Sequence, residues 1–284
     1  MKIPRVVLAL AILPLVACER IVSIDLSEGP KRLVVEARLE RVVGAGPTVQ
    51  RIRLTTTDAY FSNRTPPPAI GATVQIVDET NAPRQFTELP AEPGVFVAQA
   101  FTPIAGIKYT LRVVWQGDRY EATERLLTVA PIDSLWFAKR MTDIGPDTGL
   151  RATISFRDPA ATRNFYLWEQ YVNGRRLLTP DTTWYLRVTA SDDLLDGQRV
   201  RSAQPYGGIA VPSGAVVLVQ QIAISEQAYR YYTAMSEQTV NNGSPFGVPP
   251  SNLRGNIANL THPEKRALGY FMAGEVAEAR KTVP

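Results

Sequence analysis

From residue 32 to about 128 the chain repeats one pattern: short runs of β-favouring residues whose apolar and polar side chains alternate, closed by Gly, Pro, Asn or Asp. A period of two sends every second side chain to one face, which a strand satisfies and a helix cannot. "RLVVEARLE" opens the series, with Val34 and Val35 inside it. "QRIRLTTT" sets Ile52 and Leu54 against Arg51 and Arg53, and "ATVQIVDE" points Ala72, Val74 and Ile76 inward. Between them "FSNRTPPPAIG" is a loop, because consecutive prolines donate nothing to a sheet ladder. "PGVFVAQ" and "YTLRVVW" continue the pattern, the latter with Tyr109, Leu111 and Val113 on one side, and Gly117 with Asp118 turns the chain into "RYEATERLLTV". About seven strands in roughly a hundred residues predict an immunoglobulin-like β-sandwich over residues 32–130.

"APIDSLWF" reads as a linker into a second unit, with Pro131 stopping one strand and Trp136 supplying an apolar anchor. There "LRATISFRDP" alternates through Ala152, Ile154 and Phe156 and ends at Asp158 and Pro159. In "NFYLWEQYVNGRRLL", Phe165, Leu167, Glu169 and Tyr171 share one face, and Tyr166, Trp168, Gln170 and Val172 the other. Asn173 and Gly174 form a hairpin signal, since both central positions of a type I′ turn need positive φ. "TTWYLRVT" and "AVVLVQQIAIS" add strands. One helix is expected near 225–240, capped by Ser225, with Glu226 in its first turn and Ala228, Tyr229, Tyr232, Met235 and Val240 near helical spacing. Its tyrosines either pack on the second sheet or face a ligand, and packing is the commoner use of such a stripe. The 22 prolines and 19 glycines, spread along the chain, argue against a helical bundle. The fold class is mainly β: a sandwich followed by a second β-rich, sandwich-like domain over 131–284 that carries one helix.

The N-terminus has a different grammar. Lys2 and Arg5 precede an apolar run from Val6 to Val16 broken only by Pro14, the layout of a secretory signal peptide over residues 1–17. The run is too short to span a bilayer, which takes about 20 helical residues. A lone cysteine in an exported chain needs an explanation. Leu15, Val16 and Ala17 before Cys18 resemble the bacterial lipobox, in which the chain is cleaved between Ala17 and Cys18 and the thiol is consumed by lipidation. Two or three acyl chains together anchor a protein durably where one does not. Residues 18–31 then act as a tether on the outer membrane, and Glu19 with Arg20 leaves the periplasmic and cell-surface faces both open.

Without Lys2 and Arg5, the 31 basic and 27 acidic side chains come close to balance. No basic stretch with interleaved aromatics appears, so nucleic acid is not an expected partner. His262, the single histidine, lies before a proline in a loop, without companions for a metal site or a "GxSxG" elbow for a triad. In "DDLLDG", Asp192, Asp196 and Gly197 match the first, fifth and sixth positions of a calcium loop, but Leu194 and Ala203 fall where ligands are needed, so a solvated turn is the better account. Carboxylate pairs of the glycosidase kind cannot be read from spacing in a β protein. No cofactor fingerprint is present.

Taken in order, the lipobox, "RLVVEARLE", "AIGATVQIVDE", "PGVFV", "GIKYTLRVVWQGDRYEA" and "PIDSL" resemble the N-terminal half of a Bacteroidota lipoprotein family, domain of unknown function 4249. "ISEQAYRYYTAM" and "PPSNLRGNIANLTHPEKRALGYFMAGEV" resemble its C-terminal half. Tyr229, Pro250, Asn252, Asn256, Gly269, Tyr270 and Phe271 stand at positions that match its recurrent pattern and are expected to be structural. Ala37 departs from it, standing where a glycine would follow "VVE". The family has no established activity. Its members are commonly encoded beside TonB-dependent outer-membrane receptors, so the resemblance implies a non-enzymatic accessory or binding partner of such a receptor in nutrient uptake, with the ligand open. Its interface would come from loops such as Phe61–Gly71 and Gly243–Ser251. The alternatives are a surface hydrolase acting on glycans or peptides and a structural lipoprotein of envelope assembly.

Overall fold

The alternation of the first half is realised strand by strand. The computed structural model describes residues 29–59, 62, 64–142, 145–177, 188–240 and 253–284, and Lys31–Pro284 forms one compact unit. The first seven strands are β1 (Leu33–Val42), β2 (Arg51–Thr56), β3 (Thr73–Asp78), β4 (Pro83–Leu89), β5 (Glu92–Val97), β6 (Lys108–Trp115) and β7 (Asp118–Arg125). Leu33, Val35, Ala37 and Leu39 of β1 are buried, as are Ile52 and Leu54, Val74 and Ile76, and Tyr109, Leu111 and Val113. Arg51 and Arg53 stay exposed. β4 escapes sequence reasoning because Phe86 is its one buried residue. Gln116 and Gly117, both at positive φ, make the tight turn between β6 and β7. The strand path β1-β2-β5-β4-β3-β6-β7 folds over at β4, and a single core joins its two ends.

The second half holds β8 (Ile132–Thr142), β9 (Gly145–Arg157), β10 (Phe165–Val172), β11 (Arg175–Arg176), β12 (Val188–Ser191), β13 (Arg199–Ala203), β14 (Val216–Ala223), α1 (Glu226–Val240), β15 (Ala258–Asn259) and β16 (Leu268–Thr282). "APIDSLWF", expected as a linker, instead lies largely in β8. β7 already ends at Arg125, before Pro131, and Leu135 is buried and pairs in register with Ile154 of β9, so the partner strand supplies an order that the short run does not advertise. The hairpin signal holds: Asn173 and Gly174 have φ of 49° and 78° between β10 and β11. Ser225 caps α1, its Oγ accepting the Ala228 amide at 3.1 Å. Most of "TTWYLRVT" lies outside the described residues. Among the described residues, no helix is long and apolar enough to cross a membrane.

β16 organises the whole. It pairs parallel with β1, Val35 opposite Gly269 and Ala37 opposite Phe271, and antiparallel with β14, Ile222 opposite Val276. Among the described residues this makes a 13-stranded sheet, which continues across the 130/131 position where the sequence places a domain junction. β8, β9 and β13 form a separate small sheet. Phe271 and Ala273 enter the sandwich core, and Ala277, in the same alternating row, enters a second core with β9, β10 and β14. The opposite row, Tyr270, Met272 and Val276, packs with Ala228 and Tyr232 of α1. Burying a side chain of the size of Phe271 or Val276 contributes about 1.5–3 kcal/mol, so one strand draws on three cores.

Candidate functional site

α1 covers the row of β16 that holds Tyr270, Met272 and Val276. The same face of the sheet continues onto β1 and β2, where it carries Glu36, Arg38, Arg51 and Arg53. There it forms the floor of a groove of about 910 Å³. Tyr231, Tyr232, Met235 and Gln238 of α1 line it as well, together with Leu253, Arg254 and Gly255 and with Glu264, Arg266 and Ala267. Seven arginines and two glutamates are among its lining residues.

Those arginines fall into two layers. In the inner layer, Arg38 donates to Glu169 at 2.7 Å and also pairs with Glu40, while Arg176 pairs with the same Glu169. Glu169 has no solvent exposure and accepts a further bond from the Tyr171 hydroxyl at 2.9 Å. Burial works against the Arg38 charge, yet Glu40 and Glu169 outweigh it and hold the guanidinium protonated more firmly than in water. Burial, then Glu169, pushes the Tyr171 hydroxyl up to about 12. In the outer layer, Arg51 reaches Glu92 at 2.8 Å, a half-exposed pair worth at most about 1 kcal/mol. Arg32, Arg53, Arg254 and Arg266 are exposed and have no ion-pair partner among the described residues. Arg53 lies opposite Glu36 in the β1–β2 register without reaching it.

The end of the groove is closed by bare backbone. Gly269 has φ +88°, and a Cβ there would run into the Val35 carbonyl; a Cβ on Gly255 would run into the carbonyl of Gly269. Three chain segments therefore stack without side chains between them. Beside this stack lies a closed polar hub. The buried Glu124 carboxylate accepts the Tyr270 hydroxyl at 2.7 Å, Asn256 Nδ2 at 3.1 Å and Ser225 Oγ at 3.2 Å. Asn256 also donates to the Phe271 carbonyl at 2.7 Å and accepts the Phe271 amide at 3.0 Å. Burial raises the Glu124 carboxyl above its ordinary value against the pull of its three donors. The same burial, with Glu124 next, raises the Tyr270 hydroxyl.

A family model described as Domain of unknown function (DUF4249) matches residues 19–280. The chain belongs to the DUF4249 family. No curated protein matches it. Among solved structures it is similar to a DUF4785 family protein from Legionella pneumophila subsp. pneumophila str. Philadelphia 1, at 8% identity and a TM-score of 0.22, covering 66% of this chain and 52% of that one. The chain thus spans about half the length of that structure, and likeness at this score carries no argument.

The DUF4249 pattern residues divide by position. Asn256, Gly269, Tyr270 and Phe271 converge on the hub and the glycine stack, and Tyr229 packs its ring on Phe165 with centroids 5.1 Å apart. Ala17, Cys18, Pro250 and Asn252 lie outside the described residues, as do Phe61 and the Gly243–Ser251 loop. Glu124 is the hub residue that sequence reasoning missed. Its signal was present, because Tyr120, Ala122 and Glu124 share one strand row and the first two are buried core residues.

The remaining candidates settle elsewhere. His262 is a half-exposed loop residue whose Nδ1 lies 2.6 Å from Asp118 Oδ1, and that contact, followed by Asn259, holds the Asp118 carboxyl below its usual range. In the 192–197 turn, Asp193 to Asp196 are exposed, while Asp192 is 2% exposed. Asp158, Asp192 and Asp196 bring carboxylate oxygens within 4.8 Å of one another, the one group among the described residues that could hold a metal ion. Protein donors already occupy them: Tyr166 and the Gly197 amide on Asp158, the Asn164 amide on Asp192, and the Ala161 amide on Asp196. Burial raises the Asp158 carboxyl.

Proposed function

We propose that this chain is an outer-membrane lipoprotein, anchored through a lipidated Cys18, that binds rather than catalyses and serves as an accessory partner of a TonB-dependent receptor in nutrient uptake. The observation that supports a binding role is the groove: strands β1, β2 and β11 carry four of its arginines, and the described residues lining it include arginine, tyrosine and glutamate but no Ser, Cys, His or Asp. Such a lining offers recognition without the nucleophile–base pairing of acyl-transfer chemistry. The lipobox-like stretch before Cys18 supports the location, and the neighbourhood that the family resemblance implies supports the partner.

Affinity purification of the full chain from solubilised membranes is expected to recover a TonB-dependent receptor, and repeated recovery of the chain alone would overturn the partnership. Anchoring is tested separately. Cys18→Ala is expected to abolish acyl labelling and leave uncleaved precursor, and unchanged labelling would refute the attachment site.

A further inference from the structure

We propose that the groove takes a ligand carrying at least two oxyanion groups, carboxylate or phosphate, held at its outer layer by Arg32, Arg53, Arg254 and Arg266. Three observations carry this.

First, the four guanidinium groups reach one groove from separate places: the approach to β1, β2, the segment after residue 252 and the approach to β16. No local run of basic residues exists in the sequence, so the concentration of charge is made by the fold. Second, the groove already shows how it satisfies cations that need satisfying. Arg38 and Arg176 share the buried Glu169, and Arg51 reaches Glu92, whereas the four outer cations have no such partner among the described residues. Arginine presents a planar fork that pairs with carboxylate or phosphate through two parallel bonds, so an unpaired guanidinium in a concave site is a matched receptor for an oxyanion. Third, these cations line one groove with few anionic side chains beside them, so their like charges face a shared space. A multivalent anion relieves their repulsion while a neutral ligand does not. The volume of about 910 Å³ falls within the range of small-molecule sites.

This names a ligand class for the binding role proposed above and rests on it, but its test uses the purified chain alone, so failure here leaves the receptor partnership standing. The full chain, purified in detergent, is titrated by calorimetry at about 0.15 M salt with two probes, inositol hexakisphosphate and trigalacturonate. At least one is expected to bind with a Kd below about 0.1 mM, and which one binds tells phosphate from carboxylate. Arg53→Gln with Arg266→Gln is expected to weaken that binding by about tenfold or more, the loss of one to two charge-assisted bonds. Arg280→Gln, exposed at the far end of β16 and outside the groove, is expected to bind as the parent does. Binding of neither probe, equal affinity in the Arg53/Arg266 variant, or an equal loss in Arg280→Gln would each overturn the proposal.

Discussion

Two buried carboxylates, Glu124 and Glu169, lie on the two sides of this site and are managed in opposite ways. Glu124 is surrounded by neutral donors from β7's neighbours: Tyr270, Ser225 and Asn256. Glu169 is surrounded by cations, Arg38 and Arg176, with one tyrosine hydroxyl added. Burial leaves the Glu124 carboxyl raised above its ordinary value despite those neutral donors, whereas Glu169 meets groups of opposite charge. The difference is also one of closure. The hub ties the sandwich, the helix cap and β16 together with donors that come from inside the protein. The groove pairs its inner arginines with Glu169 and leaves four of its five outer ones turned to solvent, so the hub reads as a fastening and the groove as a receptor.

The substitution expected to break both regions at once is Gly269→Ala. It adds a methyl where φ is +88° and the Val35 carbonyl already fills the space, so β16 must move away from β1. The cost is expected to be about 3–5 kcal/mol, from backbone strain and forced separation together, measured as the fall in the urea midpoint. An unchanged midpoint would mean that the three-layer backbone stack closing the groove contributes nothing. Glu169→Ala should act next, and on the groove side alone. Removing the shared counter-charge takes one carboxylate partner from each of two partly buried guanidinium groups, Arg38 keeping Glu40, at about 2–4 kcal/mol after allowing for their partial exposure.

Much of this arrangement was legible before any coordinates. Ile52 and Leu54 against Arg51 and Arg53, or Asn173–Gly174 at a turn, follow from a period of two and from positive φ, both local properties. β16 was not legible as a strand. "YFMAGEVA" is buried on both faces, so its alternation is erased, and Gly269, Gly274 and Glu275 weaken any strand propensity. Its parallel pairing with β1 joins positions more than two hundred residues apart, which no window along the chain can sense. The groove escaped for a related reason. Arg32, Arg53, Arg254 and Arg266 come from unrelated stretches, each unremarkable alone, and only the return of β16 to β1 brings them together. The pattern residues Asn256, Tyr270 and Phe271 were found by resemblance, but their common partner Glu124 carried only the weak signal of a charged residue in a buried row.

Glu124 allows the hub to be probed by charge without breaking its contacts. Glu124→Ala leaves the Tyr270, Ser225 and Asn256 donors facing an apolar gap, and about 2–3 kcal/mol of destabilisation is expected. Glu124→Gln keeps an acceptor oxygen and removes the ionisable group, so its effect should be smaller and should depend on pH. Because the folded carboxyl is raised above its unfolded value, its favourable contribution is present below the unfolded value and is lost as pH rises through the folded one. The Gln variant should therefore gain on the parent between pH 4 and pH 7 in paired urea titrations. A difference that stays flat across that window would show that the burial of Glu124 carries no charge penalty.

The smallest effect on stability is expected where the largest effect on binding is proposed. Arg53 and Arg266 are exposed and have no ion-pair partner among the described residues, so replacing both by Gln removes no contact that the folded state relies on. Exposed substitutions of this kind stay within about 0.5 kcal/mol, and relief of like-charge repulsion could even raise the melting temperature slightly. A loss beyond about 1 kcal/mol would place these arginines among the fastenings, with Glu124 and Glu169, and erase the contrast between hub and groove. Unaltered unfolding together with weakened anion binding would locate them on the receptor side, since a residue that the fold does not need and the ligand does is what a binding surface is made of.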